Sequence, residues 1–181
     1  MAVAEQRTVD LAATLAADGP HPEHAEELML FGQFVGEWEL DWACYDETGE
    51  PTETERGEWI FAWVLEGRAV QDVWIIPERD RRGEPGLPLG EYGTTLRVYH
   101  PRLDAWVITW NGPIKGVRRL FLGRRSGPDI LLDGRNENGD PMRWIFSEIT
   151  ERTFRWSSVV STDGEETWRL REEMRVRRKA V

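Results

Sequence analysis

The sequence predicts an all-β fold, a closed antiparallel up-and-down barrel of about ten strands with one or two short N-terminal helices. From Gly36 onward, runs of alternating apolar and polar residues recur, which is the period of strands buried on one face. Short clusters of Gly, Pro, Asn and Asp separate these runs, as hairpin turns require. A sheet of this many twisted strands loses its exposed edges when it closes on itself.

Composition and charge limit the class of protein. The chain has 181 residues, enough for one domain, and its 40% hydrophobic and 31% charged residues are typical of a soluble globular protein. The net charge of −10 argues against nucleic-acid binding, because phosphate contacts need clustered Lys and Arg. The N-terminus has no long apolar run, so we expect no signal peptide, no membrane span and a cytoplasmic location.

Metal, thiol and cofactor chemistry have no motif in the sequence. Cys44 is the single cysteine, which excludes an internal disulfide and a thiolate cluster, and no basic neighbour indicates a reactive thiol. There is no nucleophile elbow, phosphate loop, dinucleotide fingerprint or metal-ligand spacing. We therefore expect no metal and no cofactor.

Residues 1–35 are predicted to form a helical segment that caps the barrel. Residues 8–17 can form a short helix that stops at an Asp-Gly-Pro sequence. A second helix can start at Pro22, with acidic residues near its positive end. Its apolar stripe, Leu28, Phe31 and Val35, would cover one mouth of the barrel.

The barrel is predicted to span residues 36–177. Its first strand opens with Gly36-Glu37-Trp38, where the glycine allows a sharp bend or a close approach of another chain. The one long connection, Pro77 to Gly90, is rich in Pro, Gly and charge, which is typical of a mobile loop at a barrel mouth. The predicted strands are 36–45, 56–65, 68–77, 91–100, 104–111, 116–124, 128–134, 141–149, 152–160 and 166–176.

Several strands carry large aromatic residues in the same alternating phase. Two interpretations remain open: the ten tryptophans fill the barrel as a packed core, or they surround a cavity for a small ligand. We favour the cavity, because stiff indole rings around a ring of strands are hard to pack without leaving space. With Trp38 inward, the rows pointing into the barrel are Trp59-Phe61-Trp63, Trp106-Ile108-Trp110, Met142-Trp144-Phe146, Phe154-Trp156 and Trp168-Leu170.

A few polar side chains share this predicted interior. Asp72 and Trp74 lie on one face of the third strand, and a buried carboxylate is costly unless an Arg such as Arg97 or Arg143 pairs with it. Tyr99 and Asn111 lie at strand ends, where they would line a mouth. The predicted ligand-binding residues are Trp38, Trp59, Trp63, Trp74, Arg97, Tyr99, Trp106, Trp110, Asn111, Arg143, Trp144 and Trp156.

Five segments carry a resemblance to a known family. They are Phe34-Val35-Gly36-Glu37-Trp38, Tyr92-Gly93-Thr94-Thr95-Leu96-Arg97-Val98-Tyr99, Met142-Arg143-Trp144-Ile145-Phe146-Ser147-Glu148-Ile149-Thr150, Phe154-Arg155-Trp156, and Asp163-Gly164 before Thr167-Trp168. Together, over about residues 30–176, they resemble a bacterial group of lipocalin-like (calycin) barrels described as domains of unknown function. The resemblance implies a calycin barrel with Trp38 inside its closed end. It implies no catalytic residues.

Three functions remain open at this point. The leading expectation is binding of a small apolar or aromatic molecule. Other calycin-like barrels act as cyclases, hydratases or isomerases on hydrophobic substrates, and there Asp72 would be the catalytic residue that moves a proton. In a third, a packed barrel binds a partner or forms a homodimer. Related haem binders use an axial His, which is not expected here because the histidines, His21, His24 and His100, all precede the last five strands.

Overall fold

A computed structural model describes residues 10–87 and 90–180, and it shows a closed antiparallel barrel of ten strands. Each strand pairs with its neighbours in sequence, and the first pairs with the last. The predicted fold class is confirmed, and the architecture is consistent with a lipocalin-like barrel. The strands are β1 Gly36–Tyr45, β2 Pro51–Val64, β3 Ala69–Ile76, β4 Glu91–His100, β5 Ala105–Gly112, β6 Val117–Ser126, β7 Asp129–Arg135, β8 Pro141–Ser147, β9 Thr153–Val160 and β10 Arg169–Arg178.

Short helices precede the barrel. Helix α1 spans Leu11–Leu15, and its predicted counterpart, residues 8–17, begins with two residues that lie outside the described part of the chain. The second predicted helix is a 3-10 turn, Pro22–His24, followed by α2, Ala25–Gly32. No helix within residues 10–87 and 90–180 is both long and apolar enough to cross a membrane.

Strand β2 is longer than predicted, since it begins at Pro51 rather than at residue 56. The Asp46 carboxylate accepts the backbone N–H groups of Thr48 (2.8 Å) and Glu50 (3.0 Å), which confines the turn to a few residues and lets the strands pair from it. The extension is mostly polar and exposed, so apolar alternation could not reveal it. The ends of the other strands differ from prediction by no more than three residues.

Helix α2 and the residues after it close one end of the barrel, which we call the closed end. Phe31 packs its ring 4.9 Å from Trp106 and 5.9 Å from Phe146. Phe34 lies 5.2 Å from Phe146 and 4.8 Å from Phe154. These rings come from both sides of the barrel, so the helix seals the closed end with apolar surface.

The Gly36-Glu37-Trp38 segment is fixed by an arginine from the last strand. The Trp38 indole N–H donates to the Phe34 carbonyl at 2.7 Å, and the Arg178 guanidinium lies 4.1 Å from the Trp38 ring centre. Arg178 also donates to the Val35 carbonyl at 2.9 Å. Gly36 has a φ of +130°, and a Cβ there would lie 2.6 Å from Arg178, so this position requires glycine.

Trp168 differs from the prediction that it points inward. A β-bulge between Leu170 and Glu172 shifts the pairing with β9, so these two residues point to opposite faces although their numbers share a parity. Glu172 therefore faces the interior. Trp168 lies outside, where its ring stacks on the outward-facing Arg143 guanidinium at 4.3 Å.

We expect Phe31→Ala to lower the free energy of unfolding by about 3–5 kcal/mol, because it removes a buried ring between α2 and the barrel. Met29→Ala on the same helix is the matched control, since Met29 is 44% exposed. Urea denaturation of both variants measures the difference. Equal, small losses would show that α2 does not hold the closed end together.

Candidate functional site

The opposite end of the barrel, which we call the open end, contains a cavity of about 100 Å³. Met174 and Val117 form part of its apolar wall. The rest of that wall consists of five tryptophans, each from a different strand, and period-two alternation turns each ring inward. They are Trp59, Trp74, Trp110, Trp144 and Trp156.

The five tryptophans form a continuous arc of edge-to-face contacts. In order around the barrel, neighbouring ring centres lie 5.7 Å (Trp74 and Trp110), 6.3 Å (Trp110 and Trp144), 5.2 Å (Trp144 and Trp156) and 6.4 Å (Trp156 and Trp59) apart. All four pairs are T-shaped. Rings joined edge to face line a curved wall instead of stacking flat across the barrel.

One glycine makes room for this arc. A Cβ at Gly93 on β4 would lie 2.2 Å from the Trp110 ring, so any side chain there would displace the indole. Gly93 pairs with Trp74 across β3 and β4, so the two tryptophans that begin the arc flank this residue. The glycine therefore permits their close packing.

Glu91 is a buried carboxylate at the rim of the cavity, 2% exposed. It accepts backbone N–H groups from Tyr92 (2.9 Å), Ile114 (3.0 Å) and Lys115 (3.1 Å). Three such donors compensate for the loss of water around a carboxylate. Glu91 thus fixes the β5–β6 turn to the start of β4 and shapes the mouth.

Three further charged side chains line the cavity, Lys115, Arg119 and Glu172. Arg119 donates to the Glu137 carboxylate at 2.6 Å. The Glu172 carboxylate accepts the indole N–H of Trp42 at 3.0 Å, and the Lys115 ammonium lies 5.8 Å from the centre of the same indole. The cavity therefore has an apolar wall and a charged rim.

Asp72 and Arg97 form an ion pair in the middle of the barrel, and each is 1% exposed. Arg97 Nη1 donates to the Asp72 carboxylate, as the sequence predicts for one of the two candidate arginines. The guanidinium lies between three phenylalanine rings, at 5.1 Å from Phe31, 5.2 Å from Phe61 and 5.9 Å from Phe146. The pair thus lies among the phenylalanines that pack toward the closed end.

Burial raises the pKa of the Asp72 carboxyl above its ordinary value near 3.8, because it penalises the charged form. The Arg97 guanidinium opposes this shift in pKa, as does the Thr95 side chain, and the Thr95 backbone N–H donates to the carboxylate at 3.1 Å. The Trp59 indole N–H lies near the carboxylate and also lowers its pKa, but it makes no hydrogen bond of normal geometry. Thr95 and Trp59 line the cavity, whereas Asp72 does not.

The predicted ligand-binding residues fall into three groups: those that line the cavity, those that point inward elsewhere in the barrel, and those on its outer face. The cavity brings together Trp59, Trp74, Trp110, Trp144 and Trp156. The remaining inward residues, none of which lines the cavity, are Trp38, Trp63, Arg97, Tyr99 and Trp106.

Tyr99 lies near the closed end, where its hydroxyl donates to the Asp104 carboxylate at 2.9 Å. Asn111 and Arg143 are on the outer face, because each is adjacent to an inward tryptophan and neighbours on a strand alternate. Arg143 donates to Asp133 at 2.6 Å instead of pairing with Asp72. A contact of Asn111 or Arg143 with a ligand in the cavity is therefore not supported by this geometry.

The charged rim was not predicted from the sequence. Glu91 and Lys115 lie at a strand end and in a turn, where alternation gives no inward direction. Glu172 follows a bulge that reverses the phase. Arg119 shares the phase of Phe121, so extending alternation along β6 was the one signal that would have found it.

Within the described residues, no group of three or more His, Cys, Asp or Glu side chains is arranged to hold a metal ion. Besides the indole N–H groups of the wall, the polar side chains that line the cavity are the four charged side chains of the rim and Thr95.

Comparison with known proteins gives no family for this chain. A scan against protein-family models and a search of curated proteins both find no match. The function is therefore argued from the cavity, since a fold alone does not determine function.

We expect Asp72→Asn to destabilise the protein by about 3–5 kcal/mol, because it leaves the Arg97 charge buried without a counter-ion. Asp133→Asn is the matched control: Asp133 pairs with Arg143 on the exposed outer face, where a salt bridge contributes about 1 kcal/mol or less. Guanidinium denaturation compares the two. Similar losses for both variants would contradict a central role for the buried pair.

Proposed function

We propose that this protein binds a small apolar or aromatic molecule in the tryptophan-lined cavity at the open end of its barrel. The supporting observation is the arc of five inward tryptophans with charged side chains at its rim. Binding sites for small molecules combine an apolar wall with a few placed polar groups in this way. A lipocalin-like barrel that holds one ligand is the corresponding fold-level description.

The size of the cavity limits the ligand. At about 100 Å³ it is smaller than the pockets of roughly 300–1,000 Å³ that enclose drug-sized molecules. An enclosed apolar cavity of about 150 Å³ binds benzene. A cavity of this size would take one small ring or branched chain. The rest of the ligand would extend past the exposed Lys115 at the mouth toward solvent.

An enzyme of the cyclase, hydratase or isomerase type would need Asp72 next to its substrate. Asp72 lies beneath Thr95 and Trp59 and is paired with Arg97. None of the described residues of the Pro77–Gly90 connection lines the cavity either. These observations favour binding over turnover.

The first experiment is native mass spectrometry of freshly purified protein, followed by denaturing extraction and identification of any released molecule. We expect a small apolar or aromatic compound at up to one per chain. A titration with the neutral probe 3-phenyl-1-propanol, followed by calorimetry, tests the same cavity without depending on retention during purification. The proposed function would be overturned if no molecule is retained and if neither this probe nor any phenyl compound with a charged head group binds.

We expect Trp110→Ala to weaken binding of 3-phenyl-1-propanol by about tenfold or more, since it removes one wall of the cavity. Trp168→Ala is the matched control, because that indole lies outside the barrel. Should Trp110→Ala fold poorly, Val117→Trp fills the cavity instead, and overpacking costs about 1–3 kcal/mol of stability. We expect that variant to fold and to lose binding; full binding by Val117→Trp would argue against this cavity as the site.

A further inference from the structure

Two of the four charged side chains at the rim already have partners. Glu91 accepts three backbone N–H groups, and Arg119 donates to Glu137. Their charges are thereby committed to holding the turns around the mouth.

The other two charged side chains, Lys115 and Glu172, are not bound to a turn in this way. Among the described residues neither forms an ion pair, and both instead contact Trp42, one above its ring and one at its indole N–H. One positive and one negative charge thus lie against the same indole at the mouth of the same cavity.

This arrangement discriminates between ligand charges. A carboxylate ligand would be attracted by Lys115 but repelled by the like charge of Glu172. An ammonium ligand would be attracted by Glu172 but repelled by Lys115. A neutral ligand would leave both charges without a new partner. Only a head group that carries both signs is attracted by both side chains and repelled by neither.

We propose that the ligand has a zwitterionic head group beside its apolar part, as a free amino acid with a hydrophobic side chain has. This inference rests on the proposed function, because it assumes that the apolar part occupies the tryptophan-lined cavity. The cavity of about 100 Å³ holds the side chain, the carboxylate lies toward Lys115, and the ammonium lies toward Glu172.

Four probes that share a phenyl group and differ in their head group test the inference by calorimetry. They are phenylalanine (zwitterion), 3-phenylpropionate (carboxylate), phenethylamine (ammonium) and 3-phenyl-1-propanol (neutral). We expect phenylalanine to bind at least about tenfold more tightly than each of the others.

Two rim variants assign each half of the head group. Lys115→Met should weaken phenylalanine and 3-phenylpropionate about tenfold without weakening phenethylamine, and Glu172→Gln should weaken phenylalanine and phenethylamine without weakening 3-phenylpropionate. Lys179→Met and Glu165→Gln, which change charges away from the cavity, are the controls and should alter none of the four affinities.

The outcomes separate the two proposals. If any of the other three probes binds more tightly than phenylalanine or within about tenfold of it, the zwitterion is ruled out and the apolar cavity stands. If none of the four probes binds, both the inference and the proposed function fail.

Discussion

The structure depends on the ion pair between Asp72 and Arg97 at the centre of the barrel. Burying two charges is unfavourable unless they meet with good geometry, and here the carboxylate also accepts the Thr95 N–H while phenylalanine rings surround the guanidinium. Asp72 faces Thr95 across β3 and β4, and Arg97 is the next inward residue. A shift of one residue in this pairing would turn one charge outward and leave the other buried without a counter-ion, so the pair fixes the register.

That register determines how the interior is divided. On the closed-end side of the pair, Phe31 of α2 and Phe34 just after it fill the barrel. On the open-end side none of the helices among the described residues lines the cavity, and its wall consists of Met174, Val117 and indoles from five strands. A flat phenyl ring delivered by a helix can fill the centre of a barrel. Indoles anchored around its circumference meet edge to face and leave the centre open.

Alternation of side chains along strands was enough to predict the closed antiparallel barrel, the inward tryptophans and the pairing of Asp72 with an arginine. It failed where the period of two is interrupted. The bulge before Glu172 turned Trp168 outward. Lys115 lies in a turn, where alternation does not predict the direction of a side chain. The expectation that Arg143 reaches the interior conflicted with alternation itself, because Arg143 cannot share a face with its neighbour Trp144. The rim of the site comes from turns and bulges, and those are set by local backbone geometry.

The division of the barrel also bears on chemistry. The buried acid beneath the cavity, Asp72, is held by Arg97 and by a backbone N–H, so moving its proton would disturb the pair that fixes the register. Of the acids that line the cavity, Glu91 is engaged by backbone donors, whereas Glu172 accepts the Trp42 indole N–H but forms no ion pair with a described residue. A site whose buried carboxylates maintain structure, while a rim carboxylate has no ion-pair partner, is suited to recognition. Glu91 and Arg119 hold the turns around the mouth, and the neighbouring Lys115 and Glu172 are the charges that a ligand meets as it enters, so structural support and selectivity lie side by side on one rim.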